Sequence, residues 1–219
     1  MSNEEPTRRV LLAGASGLVG GECLDQLLRD PSVAAVTAVV RRPFAKVTES
    51  SRLRVQVVDF DRLEDHSDAF AADQVVCALG TTIRQAGSQD AFRRVDFDLP
   101  MRIARLALSK GARHFLLVSA LGADQRSRVF YNRVKGELEV ALEDLAFRSL
   151  TIARPSLLLG DRTAPRLGEE VGRRLSFLLP GRYKGVQARQ VAAALVHAAR
   201  EDAPGRRVIE NTELRAFSA

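Results

Sequence analysis

The chain has 219 residues, 46% of them apolar, with few aromatics and no Trp, which suffices for one domain with a sizeable core. Its formal net charge of +6 arises from 33 basic against 27 acidic residues and is almost all arginine, spread along the chain, with four lysines in total. No basic run interleaved with aromatics, helix-turn-helix or zinc spacing appears, so nucleic acid is excluded as the expected partner, and no apolar stretch is long enough to span a membrane.

The N-terminus (S-N-E-E-P-T-R-R) is polar and lacks the order of a secretory signal. Residues 9–13 read as a first strand, 18–29 as a helix, and Ala34–Val40 as a second, fully buried strand. Cys23 falls in the helix and Cys77 in a later strand. Neither has metal-ligand or C-x-x-C spacing, so both are expected as buried thiols of a cytoplasmic protein. Leu53–Val58 and Gln74–Leu79 give a third and fourth strand. A helical region over 89–110 is expected to kink or break at Pro100. His114–Ser119 is the fifth strand, Val129–Leu145 a helix and Leu150–Ala153 the sixth strand. Helices over 167–178 and 188–200 follow, with Arg207–Glu210 as a last strand. Apolar strands alternating with helices predict an α/β fold, a doubly wound parallel sheet of the Rossmann type whose ligands bind at the carboxyl ends of the strands. One domain over 1–219 is expected, with a small substrate-side appendage at about 160–185.

The run Val10-Leu-Leu-Ala-Gly14-Ala-Ser-Gly17-Leu-Val-Gly20 joins the first strand to the first helix. Three glycines spaced three apart serve a tight turn, a close backbone approach to a pyrophosphate, and close packing of helix on strand. The helix N-terminus then presents N–H groups to the phosphates. Gly14, Ser16, Gly17, Leu18, Val19 and Gly20 are therefore the expected pyrophosphate cradle. At the end of the second strand, where an acidic residue would select NAD, stand Arg41-Arg42. Two guanidinium groups suit the 2′-phosphate of NADP, although solvated loop arginines would look the same. Asp59 and Phe60, after the third strand, are candidates for the adenine. Leu79, Gly80 and Thr81, after the fourth, are candidates for a loop lying along the cofactor.

Tyr131-Asn-Arg-Val-Lys135 places a phenol and an ammonium one turn apart on one helix face. A tyrosine with pKa near 10 is a poor base at neutral pH, and lowering it about three units needs roughly 4 kcal/mol, which a nearby ammonium can supply. Ser119, twelve residues earlier at the end of the fifth strand, is the expected polariser of the reacting oxygen.

These residues resemble the short-chain dehydrogenase/reductase superfamily, in particular its atypical single-domain members. The strings Ala78-Leu-Gly-Thr-Thr-Ile-Arg-Gln-Ala-Gly87, Phe92-Arg-Arg-Val-Asp96, Ser119-Ala-Leu-Gly-Ala-Asp124, Tyr131–Glu137 and Arg154-Pro-Ser-Leu-Leu-Leu-Gly-Asp-Arg162 are similar to the Tat-interacting-protein oxidoreductases and their bacterial NAD(P)-binding relatives. The resemblance runs from about residue 8 to residue 200. It implies bound NADP(H), and Tyr131 as acid/base, while the preference over NAD(H) rests on Arg41-Arg42. It implies Lys135 on the nicotinamide ribose, and Pro155 and Ser156 beside the nicotinamide. Two departures stand out: Asp96 occupies the place where many relatives carry the Asn of a proton relay, and Ala120 and Leu121 follow Ser119 where extended members have further serines.

Three functions follow as expectations. The first is NADP(H)-dependent reduction of a small carbonyl compound through Ser119, Tyr131 and Lys135. The second is a regulatory or interaction protein that binds NADP(H) with vestigial catalysis. The third, a nucleotide-sugar epimerase or dehydratase, normally needs a further substrate domain. The expected partner is a small molecule, on a monomer or homodimer. Asp161–Gly185 is expected to close over the nicotinamide end, with Arg162, Arg166, Arg173 and Arg174 either facing an acidic substrate or forming a solvated helix face.

Overall fold

The computed structural model describes residues 7–43, 50–160 and 181–218. The helix expected over 167–178 and the arginines at 162, 166, 173 and 174 lie outside the described residues. Seven parallel strands form the main sheet: β1 (Arg8–Ala13), β2 (Val33–Val40), β3 (Leu53–Val57), β4 (Gln74–Cys77), β5 (His114–Val118), β6 (Ser149–Arg154) and β9 (Gly205–Glu210). Their spatial order is β3-β2-β1-β4-β5-β6-β9. The order reverses between β1 and β4, which is where an open doubly wound sheet binds its ligands. A small second sheet pairs β7 (Leu158–Leu159) with β8 (Val186–Gln187), an element not expected from sequence.

Alternate residues of each strand serve opposite faces. Val10, Leu12, Leu116 and Val118 join a core under α1 (Leu18–Arg29) and the helix Ala188–Glu201. Leu11, Ala13, Phe115 and Leu117 join the other, under α4 (Leu99–Ser109) and α5 (Phe130–Glu143). Between β4 and α4 stand α2 (Ile83–Ala86) and α3 (Gln89–Arg93), whose first turns are capped by the hydroxyls of Thr82 and Ser88.

Several boundaries differ from expectation. β4 ends at Cys77 rather than Leu79, because the chain turns at Ala78 to meet the Gly14 turn. The region 89–110 is interrupted by a π turn over Arg94–Asp98 rather than at Pro100. Pro100 stands just past that turn, in backbone that stays helical through Asp98 and Leu99, so the irregularity lies on its N-terminal side. β9 begins two residues earlier than expected, at Gly205, and extends the sheet along the full length of β6.

The amino ends of the strands are fastened by polar links. Asp30, almost wholly buried, receives Arg8 at 2.8 Å, Arg200 at 3.1 Å and the Ser32 hydroxyl at 2.6 Å. His114, 1% exposed, lies between the Asp202 carboxylate and the Thr151 hydroxyl, each at 2.9 Å. A neutral ring meets both partners when Nδ1 donates to Asp202 and Nε2 accepts from Thr151. Burial lowers the His114 pKa, although the Asp202 carboxylate pulls the other way. The native state therefore binds fewer protons here than the unfolded chain, whose histidines titrate near 6.5, so the stability is present above that pH and lost as pH falls below it. Urea denaturation should give a lower midpoint at pH 5 than at pH 7, and His114→Gln should flatten that slope. An unchanged slope in the variant would assign the effect to other groups.

Candidate functional site

The site is assembled where β1, β4 and β5 end. Strand register sets it: Ala13 pairs with Val39 and with Cys77, and Cys77 pairs with Leu117. Gly14, Ala78 and Val118 therefore stand level along the carboxyl edge. Gly14 has φ +94°, and a Cβ there would meet the Ala78 carbonyl oxygen at 2.6 Å. The Gly17 N–H closes the turn on the Gly14 carbonyl at 2.9 Å. α1 then begins with no side-chain cap and no acidic residue in its first turn. Its partial positive end is left for an anion.

α5 forms the opposite wall. Its Gly136 leaves no room for a Cβ, which would lie 2.2 Å from the Gln125 amide nitrogen. The helix is thereby seated on the turn that follows β5. The Tyr131 ring packs against the buried Phe92 ring, centroids 5.4 Å apart. One turn on, the Lys135 ammonium is buried and lies 2.8 Å from Asp96 Oδ1, in an ion-pair contact rather than an aligned hydrogen bond. Asp96 Oδ2 accepts the Thr81 N–H at 2.8 Å. Burial pulls Lys135 towards losing its proton, but the Asp96 carboxylate and the Tyr131 phenol more than offset this and hold its pKa above the ordinary value.

A further turn along the same face, Glu139 is buried and accepts hydrogen bonds from Arg154 and from the Ser119 hydroxyl, the latter at 2.5 Å. Arg154 also reaches Glu210 at 3.1 Å. The Ser119 hydroxyl donates its hydrogen bond to Glu139, so what it offers the cleft is its lone pairs. Around one cleft stand Gly17, Leu18, Val19, Ala78, Leu79, Gly80, Thr81, Asp96, Val118, Ser119, Tyr131, Lys135 and Leu158.

An uncapped helix start, a glycine turn and a lysine on the facing helix fit a dinucleotide, and the relatives agree. Residues 14–202 match the NAD(P)H-binding family. The chain belongs to that family. It is 39% identical over 175 residues to Protein HTATIP2 of Rattus norvegicus, covering 79% of this chain and 72% of that protein. It is 33% identical over 217 residues to Protein FMP52, mitochondrial, of Eremothecium gossypii, covering 93% and 94% respectively. Among solved structures, a short-chain dehydrogenase from Leptospira borgpetersenii with bound NAD+ aligns with TM-score 0.75 at 13% identity, over 97% of this chain and 95% of that one. MoeE5 in complex with UDP-glucose and NAD aligns with TM-score 0.73 at 18% identity, over 92% and 75%. At such identities these two structures share the fold.

Of the residues expected from sequence, Gly17, Leu18, Val19, Leu79, Gly80, Thr81, Ser119, Tyr131 and Lys135 come together around the cleft. Gly14, Ser16 and Gly20 build the turn beside it. Arg41 and Arg42 are exposed beyond β2, one and two residues past the level of Gly14. Asp59 is exposed beyond β3, its carboxylate accepting the Asp61 N–H, and Phe60 is half-buried. Pro155 is buried just after β6, and Ser156 turns away, donating its hydroxyl to the Lys184 carbonyl at 2.6 Å. These last six residues stand outside the cleft lining. Sequence reading missed Glu139 and Arg154 as site residues. The signal was present: Tyr131, Lys135 and Glu139 are spaced by four on one helix face, and the acidic member falls on its buried side.

Among described helix termini relevant to the cleft, the glycines divide into two kinds of lesion. A Cβ on Gly20 would stand 2.0 Å from the Gly14 carbonyl oxygen, so Gly20→Ala should cost at least about 2 kcal/mol of stability in urea. Gly17 is exposed, and a Cβ there meets the Gly14 oxygen at 3.2 Å and the Ala78 oxygen at 4.0 Å. Gly17→Val should keep the far-ultraviolet dichroism of the wild type yet lose NADPH affinity by tenfold or more in a fluorescence titration. Wild-type affinity in that variant would move the phosphates elsewhere.

Proposed function

We propose that this protein is an NADP(H)-dependent oxidoreductase that reduces a small carbonyl compound. The observation that carries the reading is the face of α5 on which Tyr131 and Lys135 stand one turn apart, both opening on the cleft lined by Gly17 and by Gly80-Thr81. Bound NADPH would supply the hydride. Tyr131 then donates its phenolic proton to the carbonyl oxygen, and its ring is held for that purpose by Phe92. Lys135 holds the nicotinamide ribose, with its charge sustained by Asp96. Ser119 was expected to polarise the carbonyl. With its proton committed to Glu139, it acts here as an acceptor, and Tyr131 is left as the principal donor to the substrate.

A second reading is a regulatory NADP(H)-binding protein with little turnover. The observation that favours it is the same pairing: Glu139 engages Ser119 and Asp96 balances Lys135, so both groups that assist Tyr131 are already satisfied. The two buried thiols, Cys23 and Cys77, suit a reducing compartment, and we assign the protein to the cytoplasm on that basis. No helix among the described residues is long and apolar enough to cross a membrane.

The exposed pair Arg41-Arg42 supports selection of the 2′-phosphate. One charge-assisted contact is worth about 1.5–3 kcal/mol, enough for a tenfold preference. Calorimetry should give NADP(H) at least tenfold tighter binding than NAD(H), and replacing both arginines by alanine should erase the difference. Equal affinities in the wild type would overturn the phosphate role.

Turnover is tested by following NADPH absorbance with a panel of aldehydes and ketones. Tyr131→Phe should keep NADPH affinity within a few-fold and reduce turnover by roughly 10²–10⁴. Unimpaired turnover in that variant would remove Tyr131 as the proton donor. A wild type that binds NADPH tightly but reduces none of the panel would favour the regulatory reading.

A further inference from the structure

Asp96 is wholly buried, and its cation is a lysine rather than one of the chain's many arginines. Three observations converge on it. It lies on the π turn Arg94–Asp98, where the widened turn re-aims the side chains it carries, as such turns do at functional sites. Its two oxygens face two donors: the Thr81 N–H at 2.8 Å from Oδ2 and the Lys135 ammonium at 2.8 Å from Oδ1. The Gly80 backbone passes directly over the pair, since a Cβ there would stand 3.4 Å from Asp96 Oδ1 and 3.7 Å from Lys135 Nζ.

Both partners of Asp96 are donors, which accounts for a carboxylate rather than an amide at this position. An asparagine offers one acceptor oxygen and one NH₂ group. Turned one way it would lose Thr81, and turned the other way it would present N–H to an ammonium. Only a carboxylate satisfies both at once.

We propose that Asp96 is the positioning residue of the cofactor site: it ties the Gly80-Thr81 loop to Lys135 on α5, and so fixes the two walls between which the cofactor ribose sits. This rests on the cofactor reading above. Asp96 acts through Lys135 and the loop, without touching the cofactor itself. The titratable groups that face Lys135 are Asp96 from the π turn, Tyr131 from its own helix and Cys77 from the end of β4, whose thiol burial pushes up to about 11. Without the Asp96 carboxylate, burial acts on Lys135 with its main opponent gone, and its proton is lost at lower pH.

The test is NADPH fluorescence titration between pH 7 and pH 10 with wild type, Asp96→Asn, Lys135→Met and the double variant. Wild-type affinity should change little up to pH 9. Asp96→Asn should bind at least tenfold more weakly at pH 9 than at pH 7, a new alkaline limb that a purely structural lesion would not create. The limb should persist when Tyr131→Phe is added and vanish in the double variant. The double variant should bind no more weakly than Lys135→Met, since with the ammonium gone the amide oxygen of Asp96→Asn can still accept the Thr81 N–H and hold the loop. If Asp96→Asn does not fold, this last comparison, between two variants without the buried ammonium, carries the test. A flat Asp96→Asn profile at wild-type affinity, a limb surviving in the double variant, or an additional loss there beyond Lys135→Met would each overturn the proposal. A wild type that fails to bind NADPH would instead overturn the cofactor reading on which it rests.

Discussion

Where α1 leaves the Gly14 turn, helix and strand meet with no room for a side chain between them: a Cβ on Gly20 would lie 2.0 Å from the Gly14 carbonyl oxygen. This close approach fixes the angle and height at which α1 starts. It also brings the chain beyond β4 close, since only the lack of a side chain at Gly14 leaves room for the Ala78 carbonyl. β4 therefore ends at Cys77, and the chain turns at Ala78 into the Gly80-Thr81 loop. The cleft is the space left between that loop, the first turn of α1 and the face of α5. A single steric constraint at the first turn thus propagates across two strand ends into the site.

The charges around the cleft follow a consistent division. Inside, each buried carboxylate has a cation: Asp96 has Lys135, and Glu139 has Arg154. Leaving either charge unpaired in a low-dielectric setting would cost several kcal/mol. The interior of the site is accordingly close to neutral. Among the described residues, positive character stands at its periphery, in the start of α1 and the exposed Arg41 and Arg42. A polyanionic cofactor is thus attracted by its phosphates at the outer end, while the reacting end enters surroundings that are polar yet balanced. This favours recognition of one orientation of the molecule over its reverse.

The alternation of buried strands and amphipathic helices made the sheet legible in the sequence, because periods of 2 and 3.6 are direct consequences of backbone geometry. The glycine run and the Tyr131–Lys135 spacing were legible because each depends on neighbours within one turn. What escaped notice depends on long-range contact. The π turn at Arg94–Asp98 has no signature in a 3.6-residue pattern, so Asp96 was visible only as a departure from its relatives, with no partner. Pro100 marked the neighbourhood of the break, but the irregularity itself falls in the turn before it. Glu139 and Arg154 lie 15 residues apart in sequence and acquire meaning only when β6 pairs with β5 and brings the guanidinium beneath α5. Ser119 was legible as a hydroxyl at a strand end, whereas the direction of its hydrogen bond was set by that same distant pair.

The short pairing of β7 with β8 gives the chain an unusual kind of freedom. Leu158 and Leu159 lie against Val186 and Gln187. Asn211, 1% exposed, ties the two arms together by accepting from the Ser156 N–H and donating to the carbonyls of Arg182 and Lys184. The chain thus passes out and back through a fixed neck, beside the Leu158 edge of the cleft. Joining two ends already held together makes the entropic cost of the intervening length small, about 0.6 kcal/mol for each doubling. The stability of the sheet is thereby decoupled from the length of the connection that the neck closes.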